Sequence, residues 1–187
     1  IEQIKNNNSK FLKKKTPVEV LETLDGDTLK VKMPNGSVEY VRLAGINAPE
    51  KTDQYHPLNI YSELNNNQFH FENSKTALEN IIKKSTKNIT IKNITRSKRD
   101  KYNRPIVQLI VDDIDINKHL IEQGYATPDF LEEIESKEYK ELLESAALLS
   151  SQENKGIYKD LSKSAQDTYK TMFNNHFIKT KELSNAN

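Results

Sequence analysis

Between Asp25 and Glu50 the chain reads DGDTLKVKMPNGSVEYVRLAGINAPE, and this one stretch carries Asp25, Asp27, Arg42 and Glu50. Carboxylates are hard oxygen donors that can hold a cation or cap a turn, and one set at a strand start is held by rigid backbone. A guanidinium donates two parallel hydrogen bonds to phosphate-type oxygens. A glutamate within reach of a water can orient it or take its proton. The same residues also have ordinary readings: DGD is a common turn, Arg42 a cross-strand surface charge, and Glu50 an exposed loop residue after Pro49. Either they are turn and surface residues, or they converge on one site.

A second dense stretch, RSKRDKYNRP over 96–105, holds Lys101, Tyr102 and Arg104. Alone it reads as a solvated hairpin tip. Asn103 suits a left-handed turn conformation, for which Asn is the next best residue after glycine.

The elements that would position these residues follow from periodicity. Residues 17–24 (PVEVLETL) read as a strand, and in TLKVKM the apolar Leu29, Val31 and Met33 alternate with Lys30 and Lys32, the period of a half-buried strand. PNG at 34–36 is a hairpin turn, SVEYVRL the return strand, and GINAPE a turn closed by Pro49. Residues 51–71 are polar and aperiodic and read as a loop, whose length beside a candidate site points to function or disorder. From 72 the period becomes helical, with Ala77, Leu78, Ile81 and Ile82 on one face. Strands are expected over 88–95 and 104–111, then a DDID turn, then a short helix INKHLIEQG ended by Gly124. A longer helix is expected over 132–154, packing through Leu142, Leu143, Ala146, Ala147 and Leu149, and ended by GIY at 156–158. Helical spacing returns at Leu161, Ala165, Tyr169, Met172 and Phe173. The expected organisation is a polar N-terminal arm over 1–15, one folded domain over 16–158, and a helical extension or tail over 159–187. Strands followed by helices make this α+β, with a small barrel of about five strands of OB type.

Composition bounds the alternatives. Lys and Arg total 28 and Asp and Glu 27 in 187 residues, a net charge of +1, which argues against a wholly basic wrapping protein or a membrane coat but not against a local basic groove. With no cysteine there is neither disulfide nor thiolate metal site. The four histidines, His56, His70, His119 and His176, show no metal-ligand spacing and read as surface or structural. No apolar run approaches a membrane span. The start at Ile1 implies processing or trimming upstream.

Three ordered segments, DGDTLKV, VRLAGINAPE and RDKYNRPIVQLIVDDIDINKHLIEQGYA, with GIY after a helix, resemble the staphylococcal nuclease (thermonuclease) family from about Val18 to Tyr158. The resemblance implies an OB-fold five-stranded barrel with three α-helices and calcium-dependent hydrolysis of DNA or RNA phosphodiesters by a secreted or cell-surface endonuclease, here expected as a monomer. It places Asp27 at the main calcium carboxylate, with Asp25 turn-forming or behind it. Asn47 falls where the family's prototype has a second carboxylate, so weaker calcium binding is implied; Ala48 falls where the main-chain carbonyl serves the metal. Arg42 and Arg104 match the two catalytic arginines, and Glu50 the residue that holds or deprotonates the attacking water. Lys101 and Tyr102 match residues that grip the terminal phosphate. Phe130 falls near an aromatic that stacks on the base, with a core position as its other reading. The rival reading is a catalytically degenerate OB module that binds nucleic acid or protein, as some domains of Tudor-staphylococcal-nuclease proteins do. Asn47 favours it, while joint retention of Arg42, Glu50 and Arg104 favours the enzyme.

Overall fold

The computed structural model describes residues 14–51, 67–86, 88–171 and 174–175. Nearly all of the N-terminal arm, most of the 51–71 loop, and His56, Met172, Phe173 and His176 lie outside the described residues.

The expected first strand is broken at Val18 into β1 (Thr16–Pro17) and β2 (Glu19–Thr23), and the break shapes the sheet. Pro17 has no N–H to continue a ladder. A bulge between Val20 and Glu22 bends β2 further. β3 (Thr28–Lys32) and β4 (Val38–Leu43) form the predicted hairpin, closed by Gly36 N–H donating to Met33 O at 2.9 Å. The other strands are β5 (Ile46–Asn47), β6 (Ile89–Lys92), β7 (Ile106–Val111), β8 (Ile114–Asp115) and β9 (Thr127–Pro128). Pairing runs β1–β6–β7–β4–β3–β2, antiparallel except for the parallel β4–β7 contact. The edge strands β1 and β2 are consecutive pieces of one segment, so the ladder returns to where it began. That order is consistent with a small OB-type barrel of five strand runs, with β8 appended to β7 and β5–β9 as a separate pair. Its interior is filled by Leu29, Val31, Val41, Leu43, Ile91, Val107, Leu109 and Val111, the inward half of each alternating strand.

Helix α1 (Asn67–Lys83) begins five residues before the expected start, so 67–71 are helical and not loop. The buried face explains the miss: His70, Ser74 and Leu78 recur every four residues, and two of the three are polar. Each is satisfied, His70 Nε2 by Asp160 Oδ2 at 2.6 Å and Ser74 Oγ by Tyr125 O at 2.6 Å, so polar residues hold a face that an apolar count overlooks. Helix α2 (Ile116–Glu122) is capped by Asp115 accepting from Lys118 N–H. It ends at Gly124, whose φ of +71° and contact with Lys155 O leave no room for a side chain.

The helix expected over 132–154 is two elements. A 3-10 turn at Leu131–Glu133 gives way to extended Ile134, which bridges Thr95, and α3 (Lys137–Gln152) starts at the Ser136 cap. Leu143, Ala146 and Ala147 are buried as expected, whereas Leu142 and Leu149 face solvent. After the 3-10 turn Gly156–Asp160 the chain is helical again over 163–171, and Leu161, Ala165 and Tyr169 pack on Ile157 and Tyr158.

Candidate active site

Strand register brings the two chemically dense stretches together. Thr28 stands opposite Arg42 across β3–β4, and Arg42 lies beside Ile106 across the parallel β4–β7 contact. Arg42 N–H donates to Pro105 O at 2.9 Å, and Leu43 N–H to Asp27 O at 2.9 Å. Asp27, Arg42 and Arg104 therefore meet at one end of the barrel. Asn117, fully buried at the start of α2, fixes this junction: its amide donates to Ala44 O and Val107 O at 2.9 and 3.1 Å and accepts from Leu109 N–H at 2.9 Å.

One polar network links both arginines. Arg42 Nη1 lies 3.0 Å from Asp27 Oδ2, which also accepts from Ala48 N–H at 2.7 Å. Thr28 Oγ1 donates to Asp27 Oδ1 at 3.0 Å and accepts from Arg104 Nη1 at 3.4 Å. Asp27 and Thr28 thus set the spacing of two guanidinium groups from opposite sides. The side chains of Arg42 and Asp27 are 14% and 8% exposed, so their attraction is little screened by water.

Gly26 lets this turn sit where it does. A Cβ there would lie 2.7 Å from Ala48 Cβ and 2.8 Å from Ser74 Cβ, so any side chain would push the acidic turn off both β5 and α1. Asp25 Oδ1 accepts from Asp27 N–H at 2.9 Å. Burial, reinforced by the charge of Asp27, pushes the Asp25 carboxyl up to about 7. Two carboxyl groups are crowded into partly dry space, an arrangement a cation relieves.

The hairpin tip is built around Asp100. Its Oδ1 accepts from Tyr102 N–H and Arg104 N–H, both at 2.9 Å, and its Oδ2 accepts from Arg104 Nε at 2.7 Å. Burial alone would raise the Asp100 carboxyl, but the hydrogen bonds and charge of Arg104, with the Tyr102 N–H, more than offset it and hold it below the usual carboxylate range. Asn103 has φ of +64°, as its residue type predicts. Arg99 braces the tip on β4, donating to both Glu39 carboxylate oxygens at 3.2 and 3.1 Å and to Asn103 O at 2.8 Å. Lys101 is exposed, and both its ammonium and the Arg104 guanidinium lie over the Tyr102 ring, at 5.1 and 5.2 Å.

The other predicted residues lie as follows. Asn47 is half-buried on β5, paired with Thr127 of β9. Glu50 is exposed two residues beyond the Ala48 anchor. Phe130 is 59% exposed with φ of +51°, so the core reading fails. No hydrogen bond among the described residues joins it to the Asp27–Arg104 network. Thr28, Asp100 and Asn117 were not singled out by sequence. Asp100 and Arg104 are four apart in one turn, a local pairing signal. Thr28 and Asn117 act through strand register and had no such signal.

Calcium fits the donor chemistry in a limited way. Among the described residues no three His, Cys, Asp or Glu form a metal-holding group. Asp27 Oδ1 accepts from Thr28 Oγ1 and Oδ2 is taken up by Arg42 and Ala48, while the Asp25 carboxyl bonds the Asp27 carboxylate as well. Asp25, whose Oδ1 accepts from Asp27 N–H, adds a carboxylate, and Asn47 directly precedes the Ala48 anchor. Such a set suits a hard cation that fills its shell with water and substrate oxygens. A surface depression on the 163–171 helix, lined by Lys163, Asp167 and Thr171, has none of this chemistry.

Residues 40–160 match the family described as staphylococcal nuclease homologue. Over 140 residues the chain is 28% identical to "Endonuclease YhcR" of Bacillus subtilis (strain 168), covering 73% of this chain and 11% of that protein. The chain thus spans about a ninth of that relative's length.

Proposed function

The chain belongs to the staphylococcal nuclease family, and from that premise we propose that it is a metal-dependent endonuclease that hydrolyses phosphodiester bonds of DNA or RNA. The observation that carries the reading is the convergence of Arg42 and Arg104 on the Asp27–Thr28 pair. A phosphodiester set against that pair meets two planar donors. As water adds to phosphorus and the ester oxygen leaves, charge grows on the non-bridging oxygens. Donors already fixed in place strengthen as it grows, and removing one such donor costs about 2.7–4 kcal/mol of barrier. Thr28 and Asp100 hold Arg104, while Asp27 holds Arg42, so neither guanidinium has to be ordered during the reaction. Glu50 is the group we assign to orient the attacking water or take its proton. Lys101 and Tyr102 grip a neighbouring phosphate, and Phe130 offers an exposed face to a base.

We assign Asp27, Asn47 and the Ala48 carbonyl to a calcium ion, with Asp25 behind them. When bound, calcium supplies a Lewis acid and template at the phosphoryl oxygens. Asn47 carries no charge, so the affinity is weaker than two carboxylates would give. Export to the cell surface or medium and action as a monomer belong to the same reading and rest on family resemblance alone. No helix among the described residues is long and apolar enough to cross a membrane.

Asn47 also favours a second reading, a binding module whose catalytic site has decayed. Hydrolysis of single-stranded DNA in calcium, in magnesium and in chelator separates the two. Calcium-dependent cleavage supports the nuclease. Retained binding without cleavage in any metal supports the module, and recovery of cleavage by Asn47→Asp would then locate the defect in metal binding.

A further inference from the structure

The outer face of β3–β4 carries an exposed ring, Tyr40, between lysines that the chemistry above leaves unused. Register places Lys30 opposite Tyr40 and Lys32 opposite Val38, in line with Thr28 opposite Arg42. Alternation turns all six to the side away from the core, so the row starts at the catalytic arginine and runs outward along the strands. Tyr40 is 45% exposed, with the Lys30 ammonium 5.8 Å from its ring centre. Val38 is exposed beside it. Neither Lys30 nor Lys32 forms an ion pair with a described residue. Across β4, Arg104 lies two residues before Ile106 just as Tyr40 lies two before Arg42, and Arg104 in turn sits against Tyr102. An exposed ring thus stands beside each arginine, Tyr40 two residues along β4 from Arg42 and Tyr102 against Arg104.

We propose that this row is a binding track for single-stranded nucleic acid leading out of the cleavage site, on which Tyr40 stacks a base while Lys30 and Lys32 take the adjoining phosphates. The proposal rests on the nuclease reading for its position beside Arg42. Three features select this occupant. The cations are separated by a flat ring, the combination that binds single strands through backbone charge and base stacking together. Two residues along a strand advance about 6.7 Å, on the order of the length of one extended nucleotide. The acids are arranged to confine a polyanion. Glu19 and Glu22 oppose Lys32 and Lys30 on the β2 side, repelling phosphates from that edge and leaving the β4 side open. Glu39 points to the opposite face with Val31 and is bound by Arg99. The net charge of +1 means attraction for nucleic acid must come from such local rows and not from the whole surface. A duplex does not fit, since its bases are already stacked on one another.

The test is fluorescence anisotropy of labelled dodecathymidylate with the full chain in chelator, over a range of salt, for wild type, Tyr40→Ala, Tyr40→Trp and Lys30→Ala/Lys32→Ala. Tyr40→Ala is expected to weaken binding roughly fivefold or more, and Tyr40→Trp to keep it. The double lysine variant is expected to flatten the logarithmic salt slope by about 1.4, the value for two lost contacts to single-stranded phosphates. In calcium, the ratio of kcat/KM for dodecathymidylate to that for dithymidylate is expected to fall with the binding. A general loss of structure would cut both substrates and leave the ratio alone. Unchanged affinity, slope and ratio would overturn the track and leave the face to a protein partner. If wild type cleaves nothing but the variants still lose binding as described, the nuclease reading fails and the track stands. If wild type cleaves and the ratio does not move, the nuclease reading stands and the track fails.

Discussion

Arg42 and Arg104 face the same Asp27–Thr28 pair but are held there in different ways. Arg42 lies within strand β4, and its partner Asp27 sits in the turn just before β3, fifteen residues earlier; the two side chains are 14% and 8% exposed. Arg104 lies on a hairpin tip and is held by Asp100, four residues earlier in the same turn, with side chains 27% and 18% exposed. The first guanidinium is fixed by the fold, the second by a local loop. This difference teaches that removing a holder has different consequences at the two places. Loss of Asp27 strands a buried charge inside the barrel wall, whereas loss of Asp100 leaves Arg104 with access to water.

The comparison breaks if the arginines do not share a task, so the largest expected effects come from the arginines themselves. Arg42→Ala and Arg104→Ala are each expected to lower the cleavage rate about 10²–10³-fold, the loss seen when one fixed donor to a charged transition state is removed. A loss under tenfold for either would put that arginine outside the site. The holders separate next, in denaturant unfolding. Asp27→Ala is expected to destabilise the fold by about 2–4 kcal/mol, toward the low end for a broken buried pair because the edge of Arg42 reaches water. Asp100→Ala is expected to cost about 1 kcal/mol, since its ion pair is partly screened and its two backbone hydrogen bonds can pass to solvent. Equal costs would erase the distinction between fold-held and loop-held.

The smallest effect concerns Asp25. Its carboxyl is raised from 3.8 to about 7 in the fold, so the folded chain holds a proton that the unfolded chain gives up between those values. The penalty of ionising it is absent below about pH 4 and fully present above about pH 7, so stability falls as pH rises through that window. Asp25→Asn removes the penalty. In chelator it is expected to raise the melting temperature at pH 8 and leave it unchanged at pH 4. A gain of equal size at both values would mean that ionising the buried Asp25 carboxyl is not what the variant relieves.

The same contrast between local and long-range constraint decides how much the sequence told. The β3–β4 hairpin was legible because alternation and PNG are local, and so was the end of α2 at Gly124. The left-handed turn at Asn103 was legible from residue type. The break at Val18 was not, because it follows from pairing β1 and β2 with strands on opposite sides of the barrel. The start of α1 at Asn67 was missed because His70 and Ser74 are buried through partners at Asp160 and Tyr125, both far along the chain. At the site, the residue types of Asp27, Arg42 and Arg104 could be read from the sequence. The hydroxyl of Thr28 that joins them, and the Asn117 amide that fixes β4 to β7, become visible only once strand register is known. The polar track on β3–β4 was in plain view as alternating lysines, yet its continuity with Arg42 depends on the same register.

The most direct test of the central claim is a single-turnover time course of end-labelled single-stranded DNA in calcium, comparing wild type with Glu50→Gln, Arg42→Ala and Arg104→Ala at equal folded fraction. The account predicts rapid cleavage by wild type and about 10²-fold or greater loss for each variant, with all four still folded. Wild-type cleavage that survives in both arginine variants would contradict it, because hydrolysis would then occur somewhere other than the site that Asp27 and Thr28 hold together.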